Sequence, residues 1–199
     1  MSRPKTLLEM AGAGANPPRL GDAALLLIDC QMEYVNGGLA LPRVHDALHQ
    51  IEQLLGRARA CGAPIIHVVH RGQAGGLFDL EGTGGKIAPQ AAPLENESIV
   101  QKPLPNAFAK TDLDAVLLET GKRQLVVAGF MTHMCVSSTI RAGVDLGYRC
   151  TLVSGAAATR DLPDPSGGVV EAEALHRSAV AALADRFAIV VNDESKLED

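Results

Sequence analysis

Three residues of this chain carry side chains suited to nucleophilic hydrolysis: Asp29, Lys102 and Cys135. A cysteine thiolate attacks a carbonyl carbon. A carboxylate can take the thiol proton, and a lysine ammonium can stabilise the thiolate and hold the carboxylate in place. Cys135 has the most telling surroundings. Gln124 to Ala128 is an apolar run with β-branched members, Gly129 breaks it, and Val136 to Leu146 carries apolar residues at helical spacing. A strand, a tight turn and a helix is where α/β proteins expose nucleophiles. At the start of a helix, unpaired N–H groups and the positive end of the dipole both favour a thiolate. Each residue also has a plain structural reading. Asp29 could cap a turn, Lys102 could be a solvated surface charge, and Cys135 could be a buried core thiol.

The elements that must position these residues follow from the apolar patterning. Ala23 to Ile28 is a continuous apolar strand of the kind buried on both faces of a parallel sheet, and it ends at Asp29-Cys30-Gln31. A helix from Val44 to Cys61 places Val44, Leu48, Ile51, Leu54, Leu55 and Ala58 on one face. Gly62 stops it, and Pro64 precedes a second strand, Ile65 to His70. Ser98 to Gln101 is a third strand ending at Lys102-Pro103, where the proline forces Lys102 into an extended conformation. Thr111 caps a helix running to Glu119. After the strand and helix around Cys135 come a strand at Arg149 to Val153, a loop at Ala156 to Gly168, a helix at Val169 to Asp185 and a strand at Phe187 to Val191. This alternation predicts a single three-layer α/β domain, a mostly parallel six-stranded Rossmann-like sheet with helices on both faces. Residues 1–20 read as an arm lying on the surface or on a neighbouring subunit, and residues 21–199 as the domain. Asp29, Lys102 and Cys135 then share the carboxyl edge of the sheet, where open α/β folds bind ligands. With strand order 3-2-1-4-5-6, Lys102 must reach back across two strand spacings of about 4.8 Å each.

Composition narrows the partners. The 199 residues are 47% apolar and 21% charged, with a net charge of −5 and no dense Lys/Arg block. That argues against nucleic acid or an anionic membrane. Cys30, Cys61, Cys135 and Cys150 are scattered, which suggests a reducing compartment rather than a disulfide framework or a zinc site. Met1 to Leu20 lacks an apolar leader core and no apolar run is long enough to span a bilayer, so a cytoplasmic location is expected. Arg71 to Glu97 is rich in glycine and proline, and a connection of that length is usually functional or mobile. Within it, Gly82-Thr83-Gly84-Gly85-Lys86-Ile87 lacks the spacing of a phosphate loop, and Ile87 stands where Ser or Thr would hold magnesium. The Ala11-Gly12-Ala13-Gly14 run follows no strand, so it is not a dinucleotide loop.

Taken together, Leu27-Ile28-Asp29-Cys30-Gln31, Gly82-Thr83 before Ile87, Lys102 followed by Ala107-Phe108, and Gly129-Phe130-Met131-Thr132-His133-Met134-Cys135-Val136 resemble the isochorismatase-like cysteine hydrolases. That group includes nicotinamidases, N-carbamoylsarcosine amidohydrolases and ureidoacrylate hydrolases. The resemblance runs from Ala23 to about Val191. It implies a catalytic triad of Cys135, Asp29 and Lys102, and a cis peptide between Phe130 and Met131 that turns the N–H groups of Met131 and Cys135 into an oxyanion hole. It also implies a homodimer or homotetramer. The apolar residues Val136, Ile140 and Val144 on the helix after Cys135 are a second motive for association. Metal-binding nicotinamidases carry an Asp-x-His pattern with further histidines after the second strand. Here His67 and His70 have odd spacing on a strand and face opposite ways, so no metal or other cofactor is expected. Asn106 stands where many members have Ser. True isochorismatases of the group lack the nucleophilic cysteine, so Cys135 points to a carbonyl carbon bonded to nitrogen. The expected substrate is a small amide, ureido or carbamoyl compound, with Gln31, Tyr34, Arg71 and Phe108 lining the pocket and Arg71 available for a substrate carboxylate. The alternatives are vinyl-ether hydrolysis and a catalytically idle binding protein.

Overall fold

Six apolar segments pair into one sheet: β1 (Ala24–Ile28), β2 (Ile65–His70), β3 (Ser98–Lys102), β4 (Gln124–Phe130), β5 (Arg149–Ala158) and, after the two-stranded hairpin β6 (Leu162–Pro163) and β7 (Val169–Val170), β8 (Ala188–Val191). The structure is a computed structural model and describes residues 3–12 and 16–199. The sheet order is β3-β2-β1-β4-β5-β8, and every pairing is parallel. Parallel neighbours need crossovers, and the helices that make them cover both faces. The helices are α1 (Leu7–Met10), α2 (Glu33–Asn36), α3 (Val44–Ala60), α4 (Leu113–Glu119), α5 (Ser137–Asp145) and α6 (Ala172–Arg186).

The two faces divide β1 by its period of two. Leu25 and Leu27 join one core with Val44, Leu48, Ile51, Leu54, Leu55 and Ala58 of α3. Ala24, Leu26 and Ile28 join the other, with Leu113 and Leu117 of α4, Ile140 of α5 and Leu183 of α6. Every residue of β1 is buried, as a central parallel strand requires. Val136 and Ile140 are fully buried inside the chain, and Val144 packs on the same core. The apolar face that gave one motive for association is therefore covered within the chain.

Three boundaries differ from the sequence reading. Cys135 does not begin an α-helix. It sits in a wider π-type turn, Thr132–Val136, and α5 follows at Ser137. β5 runs past Val153 to Ala158, because Ala157 and Ala158 pair with Gly129 and Phe130 after a register shift opposite Val127–Gly129 that β5 takes up with extra residues. The segment after it forms the β6–β7 hairpin, so α6 begins at Ala172, whose N–H donates to Asp161 Oδ1 at 2.7 Å. α4 begins at Leu113, and Thr111 Oγ1 accepts from the Leu113 N–H at 3.3 Å. In the N-terminal arm, Thr6 and Glu9 form a reciprocal cap on α1, and the Leu7 N–H donates to Asp185 Oδ1 of α6 at 2.9 Å. Ala13 and Gly14 of the glycine-containing run lie outside the described residues. Among the described residues no helix is long and apolar enough to cross a membrane.

Gly129 couples β4 to the residue before Asp29. It is the register partner of Ile28 and has φ +116°, and a Cβ there would lie 2.0 Å from the Ile28 carbonyl oxygen. Neither backbone can yield without moving the sheet centre. Gly129→Ala should therefore cost at least about 3 kcal/mol by urea denaturation. Gly147→Ala is the control. Its φ is +88° but a Cβ would meet open space, so the loss should be about 1–2 kcal/mol. Equal losses at the two positions would contradict the steric account.

Candidate active site

Asp29 follows directly on β1 and is fully buried. Its N–H donates to the Val68 carbonyl at 2.8 Å, and its own carbonyl accepts from Gln31 at 2.8 Å. To make both bonds it adopts φ +50°, a left-handed conformation that costs a non-glycine residue about 1–2 kcal/mol. Lys102 ends β3, two strands away, and is also fully buried. Its register partner is His70. The ammonium Nζ reaches Asp29 Oδ2 at 2.7 Å and Cys135 Sγ at 3.3 Å. It also donates to the Leu104 carbonyl at 3.2 Å and lies 3.4 Å from His70 Nδ1. The long reach from strand three is therefore made, and the sheet edge brings Asp29, Lys102 and Cys135 together.

Cys135 is held by its turn. The Phe130–Met131 peptide is cis. The Met131 carbonyl accepts from Met134 at 3.0 Å and from Val136 at 3.2 Å. Thr132 Oγ1 donates to the Ala158 carbonyl at 3.1 Å and lies 2.9 Å from His176 Nδ1. His133 Nδ1 bonds Thr159 Oγ1. The turn before the thiol is thus clamped to the end of β5 and to α6.

Burial sets the protonation states. It raises the Asp29 carboxyl to about 6, with the Lys102 charge opposing the rise. It pushes the Cys135 thiol up to about 12, with the Asp29 carboxylate adding to the rise and Lys102 opposing it. The expectation of a lowered thiol pKa is corrected here. Lost hydration and a facing carboxylate outweigh the helix end and the lysine. The resting site is a thiol beside a carboxylate and an ammonium. The Lys102 contact with Asp29 Oδ2 is an ion pair between two fully buried side chains. Burial, and then Lys102, hold His70 low, at about 4, so its ring is neutral at pH 7.

The other residues singled out from the sequence lie in different settings. Gln31 is buried, and its amide spends itself on backbone. Nε2 donates to the His70 and Gly85 carbonyls at 3.0 and 2.9 Å, and Oε1 accepts from the His70 N–H at 2.8 Å. Tyr34 is buried with its ring edge-on to Phe78 and Phe130 at 5.0 and 5.8 Å. Arg71 is exposed, and its N–H donates to the Lys102 carbonyl at 3.0 Å. Phe108 stacks on Tyr148 at 5.8 Å. Asn106 Oδ1 accepts from the Phe108 N–H at 2.9 Å. His67 Nε2 lies 2.8 Å from Glu97 Oε2, so His67 and His70 have separate partners. Among the described residues, no three His, Cys, Asp or Glu side chains converge as a metal site.

A cavity of about 510 Å³ lies elsewhere, lined by Arg43, Asp46, Asp161, Glu171 and His176 among others, and by none of Asp29, Lys102 and Cys135. The site is located by its chemistry and not by that cavity. Sequence reasoning missed Arg160, which follows the clamped Thr159 and has a buried Nε without a hydrogen-bond partner. The sequence reading ended β5 at Val153, whereas the strand runs to Ala158 and brings Arg160 just past the carboxyl edge.

A parallel α/β sheet with a buried acid, cation and thiol at its carboxyl edge defines the class. The family follows from comparison with known proteins. The Isochorismatase domain model matches residues 23–195, and the chain belongs to this family of hydrolases. The chain is 35% identical over 186 residues to the secreted isochorismatase effector Isc1 of Verticillium dahliae, covering 93% of this chain and 95% of that one. It is 34% identical to a streptothricin hydrolase of Streptomyces noursei, over 84% of this chain and 61% of that one. The crystal structure of an isochorismatase from Pseudomonas putida KT2440 superposes with a TM-score of 0.93 at 44% identity, covering 98% of this chain and 100% of that one.

The coupled site has a pH signature. Moving the thiol proton to Asp29 leaves the total proton count unchanged, so the reactive arrangement appears once Asp29 has lost its own proton. Alkylation of Cys135 by iodoacetamide, followed by peptide mapping, should rise with a midpoint near 6 and stay flat to about pH 9. In Asp29→Asn the plateau should vanish and the rate should still be climbing at about pH 9. A wild-type rate that climbs only above about pH 8 would rule out Asp29 as the acceptor.

Proposed function

We propose that this protein is a metal-independent cysteine hydrolase that cleaves the C–N bond of a small amide, ureido or carbamoyl compound. The observation that carries this reading is the Lys102 ammonium, in contact with both Asp29 Oδ2 and Cys135 Sγ in a fully enclosed cluster. Asp29 takes the Cys135 proton and the sulfur attacks the carbonyl carbon. The N–H groups of Met131 and Cys135 receive the oxyanion of the tetrahedral intermediate, a kind of contact worth roughly 10²–10³ in rate per donor. Asp29 returns its proton to the leaving nitrogen. Water, deprotonated by the same carboxylate, then hydrolyses the thioester. Lys102 keeps a positive charge beside whichever partner is negative at each step.

A second reading has support in the relatives, since Isc1 is named an isochorismatase. Vinyl-ether hydrolysis makes no use of a thiol nucleophile, and Cys135 favours the carbonyl reaction for that reason. An idle binding protein would keep a costly buried ion pair with no return. The four free cysteines suit a reducing compartment, and we place the protein in the cytoplasm as a homodimer or homotetramer. The association rests on the family resemblance.

A screen for ammonia release over amides, ureas and carbamoyl compounds tests the reaction. Products without ammonia or amine would replace it with the vinyl-ether reading. Turnover should survive exhaustive EDTA, and loss restored by zinc would overturn metal independence. In Asp29→Asn, turnover should fall at least about 10²-fold, because an amide accepts no proton at neutral pH. That variant should fold. A raised native pKa means the fold holds the neutral group better than the charged one. Asp29→Asn should therefore gain in stability on the wild type as pH rises from about 4 to about 6. Near-wild-type turnover in the folded variant would return Asp29 to a structural role.

A further inference from the structure

His176 stands on the second turn of α6 and has no part in the proposed reaction, yet its ring meets the turn that carries Cys135. Thr132 opens that turn and is fully buried. Its hydroxyl has one proton and two neighbours, the Ala158 carbonyl at 3.1 Å and His176 Nδ1 at 2.9 Å. A carbonyl only accepts, so the hydroxyl proton goes there. His176 Nδ1 must then carry a proton and donate it to Thr132 Oγ1. Burial, and then Arg43, hold His176 below the usual histidine range, so the ring is neutral at pH 7 and has a single N–H. That N–H is spent on Thr132, and Nε2 is left as the bare nitrogen.

The bonds run in one direction, from ring N–H to hydroxyl and from hydroxyl to strand carbonyl, and each orients the next. Without the ring, the buried hydroxyl keeps one of its two anchors and is free to rotate. Inside the turn, only the Met131 carbonyl is bonded, to the N–H groups of Met134 and Val136. The fastening at Thr132 therefore bears on where Cys135 Sγ lies, 3.3 Å from Lys102 Nζ. We propose that His176 is a positioning residue: with its proton on Nδ1, it holds Thr132 so that Cys135 Sγ stays on the ammonium that also pairs with Asp29. This rests on Cys135 as the nucleophile and Asp29 as its proton acceptor, and it names what keeps them together. α6 fully buries only Leu183, so this ring is its grip on the site. His176 is half-buried and lines the cavity of about 510 Å³, so trimming it enlarges an existing space and opens no new one in the core.

Nitrogen NMR of the histidine rings reads the tautomer in wild-type protein, with His176 assigned by its loss in His176→Asn. Nδ1 should be the protonated nitrogen. The pH profile of Cys135 alkylation by iodoacetamide reads the position. In His176→Ala and His176→Gln the rate should rise at least about fivefold between about pH 7 and about pH 9, as for a sulfur parted from its charged partners. Asparagine carries an amide N–H in the place of Nδ1, so His176→Asn should stay flat within about twofold over that range. A merely looser turn would scale the rate at every pH and leave the profile flat. A bare Nδ1, a flat profile in His176→Ala or His176→Gln, or an equally steep one in His176→Asn would each overturn the role. If His176→Ala does not fold, the contrast of Asn with Gln and the wild-type tautomer still decide. Failure of Asp29 as acceptor would show separately, as a wild-type rate that climbs only above about pH 8. The clamp is then read from the Val136 amide, which bonds the Met131 carbonyl at 3.2 Å. It should exchange with solvent at least about tenfold faster in His176→Gln than in His176→Asn. Equal exchange would overturn the clamp.

Discussion

The structure depends on one buried ion pair, Lys102 with Asp29. Two charges out of water cost several kcal/mol each, and their attraction offsets this only when geometry and further contacts are good. Here the further contacts are Cys135 Sγ, the Leu104 carbonyl and the His70 ring. Losing the Lys102 charge would leave the Asp29 carboxylate alone in the interior, typically a loss of 3–5 kcal/mol. Everything that brings β3 to the sheet edge serves this contact. β3 pairs with β2 in register from Ser98 to Lys102, and Arg59, His67 and Glu97 tie the start of that connection to α3 and β2. The Arg71 N–H holds the Lys102 carbonyl as the chain turns.

Burial also divides the chemical labour. In water an aspartic acid and a thiol lie about five units apart. In this site both are raised, the carboxyl to about 6 and the thiol to about 12. The carboxyl lands where a general base works near neutral pH. The thiol stays protonated at rest, which protects an otherwise reactive sulfur from oxidation. In the proposed mechanism the proton transfer moves negative charge from oxygen to sulfur, and the ammonium already touches both. The environment therefore need not reorganise as charge shifts, which is the condition for electrostatic stabilisation to lower a barrier.

Periodicity made most of the fold legible, because a doubly wound sheet writes each strand as a short apolar run and each helix as an amphipathic one. The residues at the strand ends could be read for the same reason: β1, β3 and β4 finish where the apolar runs finish. What stayed hidden depends on long-range pairing. Ala156 to Ala158 have low strand propensity, and only the partners Gly129 and Phe130 extend β5 through them. The π-type turn at Thr132–Val136 has no local sequence signature, since it is set by clamps from Ala158, Thr159 and His176. The direction of the thiol shift was also out of reach, because it depends on how completely the fold excludes water. The place of Arg160, two residues past Ala158, followed from the same unread extension of β5.

The glycine-rich connection after β2 is held to the sheet by close backbone packing. Its glycines are not a phosphate cradle. A Cβ on Gly84 would lie 2.1 Å from Glu33 Oε2, and one on Gly85 would lie 2.1 Å from the Asp79 carbonyl oxygen. They allow the connection to close on the start of α2, where the Gly84 and Lys86 carbonyls accept from Glu33 and Met32 and the Gly85 carbonyl accepts from Gln31. Gln31 also grips both backbone groups of His70. The connection is thereby anchored to β1 and β2, and it delivers Phe78 against Tyr34 and His70 at 5.0 and 5.2 Å. Asp29, Lys102 and Cys135 sit at strand ends fixed by sheet register, so their geometry is insensitive to what surrounds the substrate. Phe78 and Arg160 come from segments that leave the sheet.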